Sequence, residues 1–185
     1  VFTWKSSTMS TRKLVTIAML TAVYVVLNFA GTVRLGWINI SVASLPVIVG
    51  AMLYGPVGGL LVGLLGAFMG QLLTYGVTVT TILWILPQAA RGLLVGMYAK
   101  HCGYSFNRSQ LTAALIGTAL VVTALNTGAM YIDSVIFGYY SYAYVFGGLV
   151  VRVISGAATA VLMVFVAPPV VNLLSRSLGT VRSAQ

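Results

Sequence analysis

The sequence predicts an all-α integral membrane protein with six membrane-spanning helices and both termini on the cytoplasmic side. Three observations carry that expectation. The 185 residues are 59% hydrophobic, with a mean hydropathy of +1.03 and only 6% charged side chains, where a soluble domain carries about a quarter charged residues. Apolar runs recur along the chain, most of them near the ~20 residues that a helix needs to cross the hydrocarbon. Basic residues fall in three places: before the first run (Lys5, Arg12, Lys13), around a central loop (Lys100, Arg108) and near the end (Arg176, Arg182). Those places obey the positive-inside rule if they face the cytoplasm, with Arg34 the exception.

Residues 1–10 read as an upstream extension or expression remnant, because MSTRKLVTIAML has the character of a natural start. Residues 11–176 form the membrane domain, and 177–185 a C-terminal cytoplasmic tail. The first apolar run, Arg12 to Thr32, is too long for a cleaved signal and leads into a polytopic pattern. A polar-aromatic loop, Arg34 to Ser41, precedes a short second segment, Val42 to Tyr54, closed by Gly55-Pro56. Its length suggests a tilted, partly re-entrant or protein-buried helix. A glycine-rich third segment runs from Val57 to Leu73, a fourth from Thr81 to Lys100, a fifth from Gln110 to Ile132 and a sixth from Val145 to Leu174. The pairs Gly59/Gly63, Gly66/Gly70 and Gly92/Gly96 put glycines one turn apart, which lets helix backbones approach closely.

The composition excludes much chemistry. Asp133 is the only carboxylate in the chain, so paired acids, acid-ligated metals and Ser-His-Asp relays have no material. Cys102 has no intrachain disulfide partner, and beside His101 it is two ligands short of a metal site. The net charge of +9 is spread thinly between apolar runs, which argues against nucleic acid. No GxxxxGK[ST] occurs, so the chain carries no phosphate-binding loop of that class. An embedded chain of this kind handles a solute rather than transforming one.

Polar residues gather in the three outer connections, Thr32–Ser41, Thr74–Thr80 and Asp133–Tyr144. Their aromatics suit either an interfacial belt or an outward-facing recognition site. The candidate solute contacts are Arg152, Asn126, Tyr131, Trp37, Asn39, Gln71, Trp84 and Tyr139. Arg152 can bind an anionic group of a solute, or pair with Asp133 to fix a helix end. Arg91, one turn after Gln88 and close to Pro87, reads as structural or coupling-related. Ala18 and Ala22 lie a turn apart on the cytoplasmic half of the first segment, where a partner helix can dock.

The stretch RKLVTIAMLTAVYVVL, followed by INISVASLPVIVGAMLYGPVGGLLVGLLGAFMGQLL, resembles the substrate-binding (S) component of energy-coupling factor vitamin transporters. The block Asn39 to Phe68 is its most specific part, and the resemblance covers Thr11 to Leu174. TILWILPQAARGLLVGMYAK and ALNTGAMY are similar to the folate-type branch, whereas DSVIFGYYSYAY matches no substrate signature. The resemblance implies a non-enzymatic, vitamin-binding subunit of a bacterial cell membrane. Such a subunit associates with a transmembrane coupling (T) component and two cytoplasmic ATPases, and Ala18 and Ala22 are its contact with the T component. The arginine and tyrosines suit an anionic or aromatic vitamin, with folate favoured and pantothenate or cobalamin open. The competing reading, a self-sufficient small secondary transporter or channel, requires a membrane-embedded acid or two related halves.

Overall fold

The structure, a computed structural model, describes residues 11–30, 32–35, 38–104 and 107–177. The extension 1–10, Trp37 and the tail beyond Ser177 lie outside the described residues. The elements are α1 (Thr11–Ala30), β1 (Thr32–Leu35), β2 (Ile38–Ser41), α2 (Ser44–Tyr75), α3 (Thr81–His101), α4 (Arg108–Ile136), α5 (Tyr142–Phe146) and α6 (Leu149–Ser177). Five stretches among the described residues are long and apolar enough to cross a membrane: α1, α2, α3, α4 and Tyr142–Ser177.

The second and third apolar segments form one element, α2, broken at Gly55 (φ 72°, ψ −158°). Only glycine takes that φ without strain, and Pro56 supplies no amide to continue the ladder. The arms then fold back on each other. A Cβ on Gly50 would lie 3.0 Å from a methyl of Val62, and one on Gly58 3.0 Å from the Gly50 carbonyl oxygen. A straight helix would separate residues 50 and 62 by about 18 Å. No residue of 44–54 is exposed, so the short arm is enclosed by protein.

Glycine also welds the second arm to α3. A Cβ on Gly59 would overlap the carbonyl of Gly92, one on Gly63 the carbonyl of Gln88, and one on Gly96 the backbone of Pro56. The glycine pairs thus permit the backbone contact expected of small residues one turn apart. On its other side, Gly66 meets the ring of Tyr24 from α1. The core continues through Ile17, Leu20, Val47, Val62, Val95, Leu111, Leu115 and Met163. Thr21, Thr118, Thr123, Thr127 and Thr159 each donate a hydroxyl proton to the carbonyl four residues earlier, which lets them sit in apolar helices.

The connection read as a loop at Arg34 to Ser41 contains part of a hairpin. β1 and β2 pair antiparallel, Thr32 opposite Ser41 and Arg34 opposite Asn39. Their β-branched content suits a strand, and β2 lies along α6. At the other end of the bundle the Lys13 ammonium stands 5.6 Å from the Tyr54 ring centre. The Tyr104 hydroxyl approaches Gly55 there, so the start of α1, the break in α2 and the α3–α4 connection share that end.

Candidate functional site

Three cavities adjoin one another toward the end that carries the hairpin. The innermost, about 240 Å³, lies between α3, α4 and α6 and is lined by Gln88, Arg91, Thr123, Asn126, Arg152 and Ser155, with Ser41 of β2 at its edge. The middle one, about 470 Å³, shares Gln88 and Asn126 and adds Tyr24, Asn28, Gln71, Thr74, Tyr75 and Trp84. The third, about 370 Å³, shares Gln71, Tyr75 and Trp84 and adds Thr78, Thr80, Asp133, Tyr139 and Tyr144. A crevice of about 20 Å³ continues inward from Arg91 to Ser44, Thr118 and Thr159. Volumes of this order suit a small-molecule ligand.

Helical phase explains the convergence. Trp84, Gln88 and Arg91 stand at i, i+4 and i+7 on α3, Asn126 and Asp133 seven apart on α4, and Arg152, Ser155, Gly156 and Thr159 on one face of α6. Three apolar helices therefore turn their polar stripes toward one space.

At the outer end, Asp133 is buried and surrounded by neutral donors. It accepts the indole N–H of Trp84 at 3.4 Å, the hydroxyl of Tyr139 and a side-chain hydrogen bond from Thr80. The carboxylate in turn pushes the Tyr139 phenol above its ordinary ionisation range, so the group remains a donor at neutral pH. Tyr139 and Tyr144 pack edge to face, ring centres 5.5 Å apart. Arg152 takes other partners. Its guanidinium donates to the carbonyl of Val145 at 2.9 Å, to that of Tyr144 at 3.3 Å and to the Thr127 hydroxyl at 3.3 Å. It pins α5 and the start of α6 to α4, while Asp133 is held elsewhere.

Of the residues singled out in the sequence, Arg152, Asn126, Gln71, Trp84 and Tyr139 line these cavities. Tyr131 does not. It is exposed and packs edge to face against Tyr140, ring centres 5.5 Å apart. Trp37 lies outside the described residues, and Asn39 is placed in β2 by its backbone alone. Ala18 and Ala22 are exposed on α1, between Leu14, Val15, Met19, Val23 and Val26, all of them exposed. Gln88, Asn28, Thr80 and Ser155 were not singled out, although the Trp84-Gln88-Arg91 spacing was readable as one stripe. His101, Cys102 and Asp133 do not come together, and among the described residues no group of three such side chains could hold a metal ion.

Residues 12–171 match the family model described as "ECF transporter, substrate-specific component". A curated relative from Lactobacillus gasseri, a UPF0397 protein, is 32% identical over 99 residues, 52% of this chain and 52% of the relative. The match thus spans about half the length of that relative. A solved chain described as the S component of a bacterial ECF transporter superposes with a TM-score of 0.63 at 22% identity, covering 89% of this chain and 98% of that one. At that identity the likeness speaks for the fold. The chain therefore belongs to the family of ECF-transporter substrate-specific components, membrane-embedded transport subunits that bind a solute and are not enzymes.

Proposed function

We propose that this protein captures a vitamin from outside a bacterial cell and delivers it through a coupling module. S components in general associate with a T component and ATPases; here the partners are one transmembrane T component and two cytoplasmic ATPases, which use the ATP. The chain itself binds no cofactor. It is a multi-pass protein of the cell membrane, crossing six times with both termini cytoplasmic once the two arms of α2 are counted separately. The vitamin is anionic or aromatic, and folate, pantothenate and cobalamin are the candidates.

The observation that carries this reading is the run of three adjoining cavities, polar where the surrounding helices are apolar. Polar side chains at membrane depth are costly unless they serve packing or a ligand. The exposed apolar face of α1 around Ala18 and Ala22 supplies the surface for the T component. The test is uptake of labelled folate, pantothenate and cobalamin into vesicles holding the subunit with a coupling module and ATP inside. Accumulation of one of them, lost when the subunit is omitted, is expected. Equal uptake without the subunit overturns the reading.

A further inference from the structure

The inner cavity holds two guanidinium groups in different states. Arg152 spends its donors on Thr127 and on the carbonyls of Tyr144 and Val145. Arg91 lines the same cavity and the crevice below it, and no described residue hydrogen-bonds its guanidinium. Its electrostatic neighbour is the Tyr24 phenol, a neutral group that cannot balance the charge. An arginine at membrane depth is costly without a partner. One turn before it, the side-chain oxygen of Gln88 is buried and also lacks a hydrogen-bond partner. A cation and an acceptor, both unmatched, thus stand at the inner end of a cavity with room for a ligand.

We infer that Arg91, rather than Arg152, receives the anionic group of the solute, and that the solute is a singly charged carboxylate. This rests on the solute-capture reading above and narrows it. A guanidinium presents parallel N–H donors that a planar carboxylate accepts in pairs. Gln88 accepts a hydroxyl or amide proton beside that carboxylate. The charge along the cavities sets the number. Arg91 and Arg152 contribute +2 and Asp133 −1, so the lining carries +1 and one negative charge neutralises it. A monocarboxylate such as pantothenate fits that count, whereas the two carboxylates of folate exceed it.

The test uses the purified full chain in nanodiscs, incubated with an equimolar mixture of pantothenate, biotin and nicotinate (one carboxylate each), folate (two) and panthenol (none). Mass spectrometry then quantifies what is retained after washing. Retention confined to one or more of the single carboxylates is expected, falling at least tenfold in Arg91→Gln. The unliganded Arg91→Gln protein should melt no lower than wild type, because the change removes an unmatched charge. Unliganded Arg152→Gln should melt lower, because it strips donors from two carbonyls and Thr127. Retention of folate or panthenol, undiminished retention by Arg91→Gln, or a lower melting point for that variant overturns the inference. Gly156→Trp, which fills the inner cavity, separates the two levels. If it abolishes retention while Arg91→Gln does not, Arg91 falls and solute capture stands. If wild type retains nothing, or neither variant matters, both fall.

Discussion

The carbonyl of Gly59 occupies the place where a Cβ on Gly92 would sit, and the carbonyl of Gly92 blocks one on Gly59 in return. This reciprocal contact fixes α2 against α3. In a membrane, where association rests on packing rather than on removing apolar surface from water, such contacts hold helices together.

Gly92→Val should therefore lower stability by about 1–3 kcal/mol or more, the range for overpacking a filled interior. Gly128→Ala on α4 is the control, since a Cβ there meets nothing within 4 Å. It should be neutral, or stabilising by up to about 1 kcal/mol through helix propensity. Thermal unfolding of both variants in detergent checks the contrast, and equal melting points would contradict the seam.

Trp84→Phe removes a donor from the buried carboxylate of Asp133. The expected cost is about 1–3 kcal/mol, the penalty for leaving a buried acceptor short of a partner. Tyr139→Phe removes the second donor. Because Asp133 raises the Tyr139 ionisation, the neutral donor persists below the ordinary phenol range of about 10. The contribution of that bond is thus complete at neutral pH and fades only as the solution becomes strongly alkaline. Unfolding midpoints recorded between pH 6 and 9 should show no loss attributable to this bond.

Ala18→Trp with Ala22→Trp should leave solute binding by the isolated subunit unchanged and abolish ATP-driven uptake. Both alanines are exposed on α1 while the cavities draw on Tyr24, Asn28 and Phe29 of that helix. Binding isotherms paired with vesicle uptake decide it. Normal uptake would remove the docking role.

Cysteines at Ser41 and Ser141 should react with an impermeant maleimide in intact cells, and one at Ser109 only after permeabilisation. Ser41 ends the hairpin and Ser141 precedes α5, whereas Ser109 lies in the first turn of α4. The reverse pattern would invert the topology.

The apolar runs, the break at Gly55-Pro56 and the close glycine contacts were legible because each depends on residue type within a short window. The fold-back of α2 was legible only as two segments, since the contact of Gly50 with Val62 is tertiary. Tyr131 stands among the outer aromatics by sequence position, which does not reveal the helical face it occupies. Five residues along α4 turn the helix by about 140°, which carries Tyr131 to the outside and leaves Asp133, seven residues from Asn126, on the cavity side. Position along the chain assigns the solute contact to Arg152 and a structural or coupling role to Arg91, without showing the partners of either guanidinium. Their difference arises from α5, whose carbonyls at Tyr144 and Val145 reach Arg152 and not Arg91. The hairpin escaped notice because its strands are only four residues each.

The short arm of α2 also bears on how the lipid meets this protein. Eleven residues of helix rise only about 16 Å, roughly half the hydrocarbon thickness. Facing lipid, such an arm would pull the leaflets together around it at an elastic cost. Because none of 44–54 is exposed, the surrounding lipid annulus never registers its length. It meets instead α1, the longer arm of α2, α3, α4 and α6, so a change of bilayer thickness should tilt those helices and leave the seat of the short arm untouched.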